Sequence, residues 1–128
     1  ALDRGERPRI FGDDYPTPDG TCIRDYVHVE DVADAHVAAA ALCEAGSAAE
    51  VLNIGRGIGS SVREMMDEIG SVLGRDLNAE VVGRRPGDPA ASYADPSLIA
   101  EVLGWSATRD VRDMVASAWS AWQAHPPS

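Results

Sequence analysis

The alternation of apolar and polar residues along the chain predicts four short strands. Strand-forming residues are concentrated at residues 9–11, 26–29, 51–54 and 77–82. Between the first two runs, residues 12–20 contain two prolines, two glycines and three aspartates, which favours an ordered loop. The strands are too few and too short for a complete doubly wound sheet.

Four other segments carry apolar residues at helical spacing. The predicted helices cover residues 30–44, 62–73, a short stretch that starts at Asp95-Pro96, and a last stretch between Asp110 and His125. Ser61 followed by Glu64 has the spacing of a capping box, and an Asp-Pro pair is typical of a capping residue followed by a first helical residue. The interleaved strands and helices predict a single α/β domain over residues 1–128.

Composition narrows the classes of protein that fit. The chain has 128 residues and a net charge of −10, and an acidic surface repels polyanions, so nucleic acid is not expected as a partner. No apolar run approaches the roughly 18 residues that cross a membrane, and no secretion signal is visible, which favours a cytoplasmic protein. Cys22 and Cys43 lack the spacing of metal ligands and are expected to be small buried apolar residues.

The basic residues are all arginine. Of the 11 Lys and Arg residues none is lysine, which excludes a phosphate-loop lysine, a Schiff-base lysine and any catalytic pair that requires one. The chain begins with Ala1 rather than Met, which predicts either a processed start or a piece of a longer protein.

A glycine-rich stretch, residues 55–60, lies between a predicted strand and a predicted helix. This position is typical of dinucleotide sites, but the third glycine of that motif is replaced by Ser60. The alternatives are a tight turn in which glycine permits a positive φ, which we favour, or a helix N-terminus that faces an anion.

Two loops carry arginines that are candidate phosphate ligands. A guanidinium group offers a fork of donors that matches phosphate, and Arg24 and Arg85 both lie on predicted connections. Surface ion pairs of Arg24 with Asp25 and of Arg85 with Asp88 are equally compatible with the spacing. A metal site at His28 and His36 is disfavoured.

Four motifs resemble a known family when they are taken together and in order. They are IFGDDYPT at residues 10–17, RDYVHV at 24–29, NIGRGIGSSV at 53–62 and RRPGD at 84–88. They resemble the C-terminal, substrate-binding part of UDP-glucose 4-epimerase, an extended short-chain dehydrogenase/reductase. The resemblance covers essentially the whole chain. It implies a small mixed α/β substrate-binding lobe, with the Rossmann half absent.

The resemblance also implies an activity for a longer parent protein. In that family, NAD held by an N-terminal Rossmann domain removes and returns a hydride at C4 of the hexose of a UDP-sugar, and a Tyr-x-x-x-Lys pair handles the proton. This chain has no lysine and no complete dinucleotide motif, so we expect no catalytic residue in it and no NAD bound to it alone. The expected partners are a UDP-sugar and the missing Rossmann domain, and a homodimer is left open. Alternatives are a lobe of a related dehydratase or decarboxylase, or a non-catalytic remnant that binds UDP-sugar or a protein.

Residue by residue, the resemblance assigns a substrate-binding set: Arg9, Ile10, Phe11, Arg24, Arg85, Asp88 and Ser92. The first three match the segment that contacts uracil, largely through its main chain. Arg24 and Arg85 match arginines that bind the diphosphate, and Asp88 matches the carboxylate that accepts from a ribose hydroxyl. Ser92 stands where some members have a tyrosine near the hexose. The smaller side chain leaves room for an acetamido group. The resemblance therefore leads us to expect that the longer parent protein also accepts UDP-N-acetylhexosamines.

Overall fold

A computed structural model describes residues 5–46 and 51–126 of the chain. Its elements are five short strands and four helices in mixed order. They are β1 (Arg9–Phe11), β2 (Ile23–Arg24), α1 (Val29–Glu44), β3 (Ser60–Ser61), α2 (Val62–Leu73), β4 (Glu80–Val82), β5 (Ala91–Ser92), α3 (Ser97–Leu103) and α4 (Val111–Ala124).

The strands form two small sheets. β1 pairs with β4 in parallel, with Phe11 opposite Val82. In the second sheet β2 is central, antiparallel to β3 and parallel to β5, and Arg24 lies opposite Ser92. The helices pack as α2 on α4 and α1 on α3. The fold is the small mixed α/β architecture that the sequence predicts.

Local capping interactions determine where α2 and α4 begin, and both starts agree with the prediction. α2 begins with the predicted capping box, in which the Ser61 hydroxyl accepts from the Glu64 N–H and the Glu64 carboxylate accepts from the Ser61 N–H. α4 begins with the same arrangement at Asp110. The short helix α3 starts one residue later than predicted. Asp95 accepts from the Ser97 N–H at 3.0 Å, and this turn leaves Pro96 as the residue that precedes the helix.

The strand predicted at residues 26–29 is wrong. The strand lies earlier, at β2, and His28 is instead the N-cap of α1: its Nδ1 accepts from the Glu30 N–H at 3.0 Å. The other ring nitrogen, Nε2, lies 2.9 Å from the Ser117 hydroxyl of α4. A buried imidazole that satisfies a helix start therefore overrides the local preference of valine and tyrosine for strand.

The strand predicted at residues 51–54 is also wrong. Leu52 and Ile54 pack against the cluster of Ala35, Ile99 and Trp105, while Val51 is 91% exposed, which is the one-sided burial of a strand. A strand also needs a hydrogen-bonded neighbour, and none of the described segments forms a ladder with these residues.

Two smaller expectations are corrected. The strand predicted at residues 77–82 is shortened to β4 because Asn78 has φ of 49°, outside the extended region. Cys22 is buried as expected, but Cys43 is exposed, since it lies on the last turn of α1, beyond the buried Asp31 and Ala35.

Among the described residues, no helix has the length and apolar character needed to span a bilayer.

Candidate functional site

The structure brings six of the seven predicted site residues to one cavity of about 250 Å³. The cavity lies where β1, β2 and the loop after β4 meet. The predicted residues that line it are Arg9, Ile10, Phe11, Arg24, Arg85 and Asp88. These positions span nearly 80 residues of sequence, so the tertiary fold is what makes them neighbours.

The seventh residue, Ser92, lines a second and more open cavity of about 480 Å³. Arg24 lines both cavities, and it pairs with Ser92 across the β2–β5 ladder. Arg24 is therefore the residue that the two cavities share.

Arg24 is held in place mainly by main-chain carbonyls. One guanidinium nitrogen donates to the Ile23 carbonyl at 2.7 Å and to the Pro89 carbonyl at 2.9 Å. The other lies 3.5 Å from the Asp88 carboxylate, and the side chain is 27% exposed. Among the described residues Arg24 forms no ion pair with the adjacent Asp25, whose carboxylate instead accepts from the Arg56 and Gly57 N–H groups at 3.0 Å.

Arg85 is placed by an aromatic ring. Its guanidinium carbon lies 3.7 Å from the centroid of the Phe11 ring. Among the residues the structure describes, Arg85 forms no ion pair, and Asp88 lies against Arg24 instead. Stacking occupies the face of a guanidinium and leaves the N–H edge for an anion.

The neighbouring Arg84, which the resemblance leaves out of the substrate-binding set, has a different role. Arg84 stacks on Tyr15 at 4.1 Å and pairs with Asp14 at 2.6 Å. The hydrogen bond from Arg84 holds the pKa of the Asp14 carboxyl below its usual range. Arg84 is therefore committed to a surface ion pair, and of the two adjacent arginines only Arg85 lines the cavity.

Sequence reasoning missed Tyr26, which also lines the smaller cavity. Burial raises the pKa of its phenol, so the hydroxyl stays protonated over a wide pH range. The signal for Tyr26 in the sequence is its position within the RDYVHV motif, which also has the strand propensity noted above.

Two N–H groups of the glycine-rich residues 55–60 have acceptors within the chain, and Gly57 has a positive φ of 68°. The N–H groups of Arg56 and Gly57 donate to the Asp25 carboxylate at 3.0 Å. At the start of α2, the N–H groups of residues 62–64 donate to Cys22, Thr21 and Ser61. These five donors are already engaged within the chain, so they do not form a free pyrophosphate-binding end, and the tight-turn interpretation agrees with the geometry.

His28 and His36 lie apart from both cavities. His28 caps α1, and His36 contacts the Val32 carbonyl of its own helix. Within residues 5–46 and 51–126, no group of three or more potential metal ligands comes together.

Comparison with known proteins identifies relatives of this arrangement. Residues 2–55 match the model of the NAD dependent epimerase/dehydratase family. A UDP-glucose 4-epimerase of Rhizobium leguminosarum bv. trifolii is 42% identical over 124 residues, which is 97% of this chain and 38% of the relative. The chain thus spans little more than a third of the length of the relatives that it matches.

Solved structures show the same relationship. The UDP-glucose-4-epimerase of Stenotrophomonas maltophila, with bound NAD and formylated UDP-arabinopyranose, superposes with a TM-score of 0.89 at 43% identity, over 92% of this chain and 35% of that one. The UDP-Glc/GlcNAc 4-epimerase of Campylobacter jejuni gives a TM-score of 0.83 at 38% identity, over 95% and 38%. The resemblance seen in the motifs is confirmed: nearly the whole chain is similar in sequence and fold to part of a UDP-glucose 4-epimerase.

Proposed function

We propose that this chain is the UDP-sugar-binding part of an NAD-dependent UDP-hexose 4-epimerase. The observation that carries the proposal is the convergence of six predicted ligands on one cavity, which shares Arg24 with a second cavity. The similarity to epimerases over 97% of the chain supports the same function.

The geometry suits each portion of a nucleoside diphosphate sugar. β1 pairs with β4 on one side, and its other edge can offer main-chain donors and acceptors to a uracil base. Arg85 and Arg24 provide the positive charge for a diphosphate, and forked charge-assisted bonds offset its desolvation. This local site is compatible with a net charge of −10, because three arginines, Arg9, Arg24 and Arg85, line the smaller cavity.

The chain's contribution is to bind and orient the substrate. NAD supplies hydride transfer in this class of reaction, and the glycine-rich turn does not offer it a free pyrophosphate-binding end. We therefore assign cofactor binding to the Rossmann domain that the resemblance places outside this chain. In a longer parent protein, Arg24 and Arg85 would anchor the diphosphate while the hexose lies towards that domain.

A binding experiment tests the proposal directly. We expect UDP to bind this chain weakly and saturably in isothermal titration calorimetry, because one wall of the site is absent, and we expect ADP to bind more weakly still. The difference reflects recognition of the base by residues 9–11. An equal response to ADP and UDP, or no saturation by UDP at millimolar concentration, would contradict the proposal.

We further propose that the hexose site accepts N-acetylated sugars. Ser92 is an exposed residue with a short side chain at the edge of the larger cavity, and the C. jejuni relative is described as a UDP-Glc/GlcNAc epimerase. A tyrosine here would fill the space that an acetamido group needs.

Ser92→Tyr is therefore expected to lower the affinity for UDP-N-acetylglucosamine about tenfold relative to UDP-glucose, since overpacking costs about 1–3 kcal/mol. Calorimetry with both ligands measures the ratio, and Ser92→Ala is the matched control that should leave it unchanged. A Ser92→Tyr variant that weakens both ligands equally would show that Ser92 does not distinguish the sugars.

A further inference from the structure

Asp25 lines the larger cavity, and its carboxylate joins the glycine turn that follows Asn53 and Ile54 to the Ser92–Ala94 segment. Its oxygens accept from the Arg56 N–H at 3.0 and 3.1 Å, from the Gly57 N–H at 3.0 Å and from the Ala94 N–H at 3.3 Å. One side chain thus satisfies three backbone donors from segments that lie 31 to 69 positions away in sequence. No arginine neutralises it among the described ion pairs.

The main chain of Asp25 makes a further connection to the same wall. Its N–H donates to the Ser92 carbonyl at 3.2 Å, while its carboxylate accepts from Ala94 two residues later. Asp25 therefore holds both ends of the Ser92–Ala94 segment. This segment carries the serine that the resemblance places near the hexose.

Close packing makes the connection rigid. A methyl group added at Gly55 would lie 2.5 Å from the Ala94 Cβ and 2.6 Å from an Asp25 carboxylate oxygen. Only glycine allows the turn to approach Ala94 this closely. The spacing between the glycine turn and the Ser92–Ala94 segment is thus determined by the Asp25 hydrogen bonds and by the absence of a side chain at Gly55.

This arrangement also bears on Arg24. Because backbone N–H groups compensate the charge of Asp25, the adjacent guanidinium is not drawn into an ion pair with it. Arg24 lines both cavities, where it can contact an anion.

We propose that Asp25 is a positioning residue that shapes the larger cavity for the sugar portion of the ligand while the smaller cavity binds the nucleotide. The inference rests on the proposed function, since it assigns the two cavities to the two ends of a UDP-sugar. Asp25 acts through Ser92, Ala94 and the glycine turn.

The decisive variant is Asp25→Asn. It replaces one carboxylate oxygen with an amide NH2 group, which cannot accept hydrogen bonds from the backbone N–H groups. We expect the affinity for UDP-glucose to fall about tenfold, as for loss of hydrogen bonds to a charged group, while the affinity for UDP changes less than about twofold. Calorimetry on the chain with UDP and with UDP-glucose gives the ratio of the UDP-glucose affinity to the UDP affinity. Asp67→Asn, on α2 and outside both cavities, is the matched control and should leave both affinities unchanged.

A purely structural role would weaken the binding of UDP and of UDP-glucose in parallel. An unchanged ratio of the two affinities therefore overturns the proposal. Gly55→Ala is the second variant if Asp25→Asn fails to fold: it keeps the carboxylate, moves the turn away from Ala94 and should reduce the same ratio. Amide hydrogen exchange provides a readout without ligand, since Gly57 and Ala94 should lose protection in Asp25→Asn. If the unmodified chain binds neither ligand, the proposed function fails, while unchanged exchange at these two amides would refute the positioning role separately.

Discussion

Replacing Asp31 with alanine is expected to lower the free energy of unfolding of this chain by about 3 kcal/mol, which urea titration measures. Asp31 is 1% exposed and lies on the first turn of α1. It accepts from the Arg109 guanidinium at 2.5 Å and from the N–H groups of Arg109 and Thr108 at 3.1 and 3.3 Å. Its loss would leave these donors without their buried acceptor. We expect the lower end of the range for broken buried pairs because Arg109 is 31% exposed.

The matched control is Asp34→Ala, one turn further along α1. Asp34 also contacts Arg109, at 3.4 Å, but its side chain is 64% exposed, so solvent already screens the pair. We expect a much smaller change in stability. Equal losses in the two variants would show that burial of Asp31 is not what makes its contacts important.

The same carboxylate predicts a pH dependence. Burial raises the pKa of Asp31, but the hydrogen bonds from Arg109 and Thr108 outweigh this and hold the pKa below its usual range. A lowered pKa in the folded state contributes stability above the unfolded value, about 4, and this stability is lost as the pH falls through the folded value. The difference in stability between the unmodified chain and Asp31→Ala should therefore be constant near neutral pH and shrink below about pH 4.

Arg24→Ala and Arg85→Ala are each expected to weaken UDP binding by about 1.5–3 kcal/mol, which is roughly 10-fold to 150-fold in affinity. Both arginines line the smaller cavity, and each is held by groups other than a close ion pair: two carbonyls for Arg24 and the Phe11 ring for Arg85. A diphosphate would be their strongest charged partner. Calorimetric titration of the chain with UDP measures the loss.

The control for the arginines is Arg112→Ala. Arg112 pairs with Glu68 at 2.8 Å between α4 and α2 and lines neither cavity, so UDP affinity should be unchanged. Thermal unfolding of each variant separates loss of binding from loss of fold, since Arg24 also bonds to two carbonyls. Unchanged UDP affinity in both the Arg24 and the Arg85 variants would refute the phosphate assignment.

Local chemistry explains which parts of the fold the sequence predicts well. α2 occupies the predicted residues 62–73 because Ser61 and Glu64 cap one end and Gly74, with φ of 66°, ends the other. These interactions join residues a few positions apart, so they are visible in the sequence. The apolar spacing of the four helices is local in the same way.

The two wrong strands fail for non-local reasons. Residues 51–54 have the alternating burial of a strand, yet pairing depends on a neighbour elsewhere in the fold. Residues 26–29 have strand propensity, yet the contact between His28 and Ser117 lies 89 positions apart. The cap itself is local, since His28 accepts from the Glu30 N–H, but strand pairing and the Ser117 contact of the His28 ring are not encoded in a window of a few residues.

The sequence by itself determined the helices, the α/β class and, through its motifs, the set of residues that resembles a substrate site. Only the tertiary structure decided how those residues are used: Arg85 lies on Phe11 in the cavity while Arg84 pairs with Asp14 outside it. Likewise, a carboxylate next to Arg24 binds the glycine turn rather than the arginine. The physical reason is that charged groups take whichever partner the fold brings within hydrogen-bond distance, and adjacency in sequence does not determine that distance.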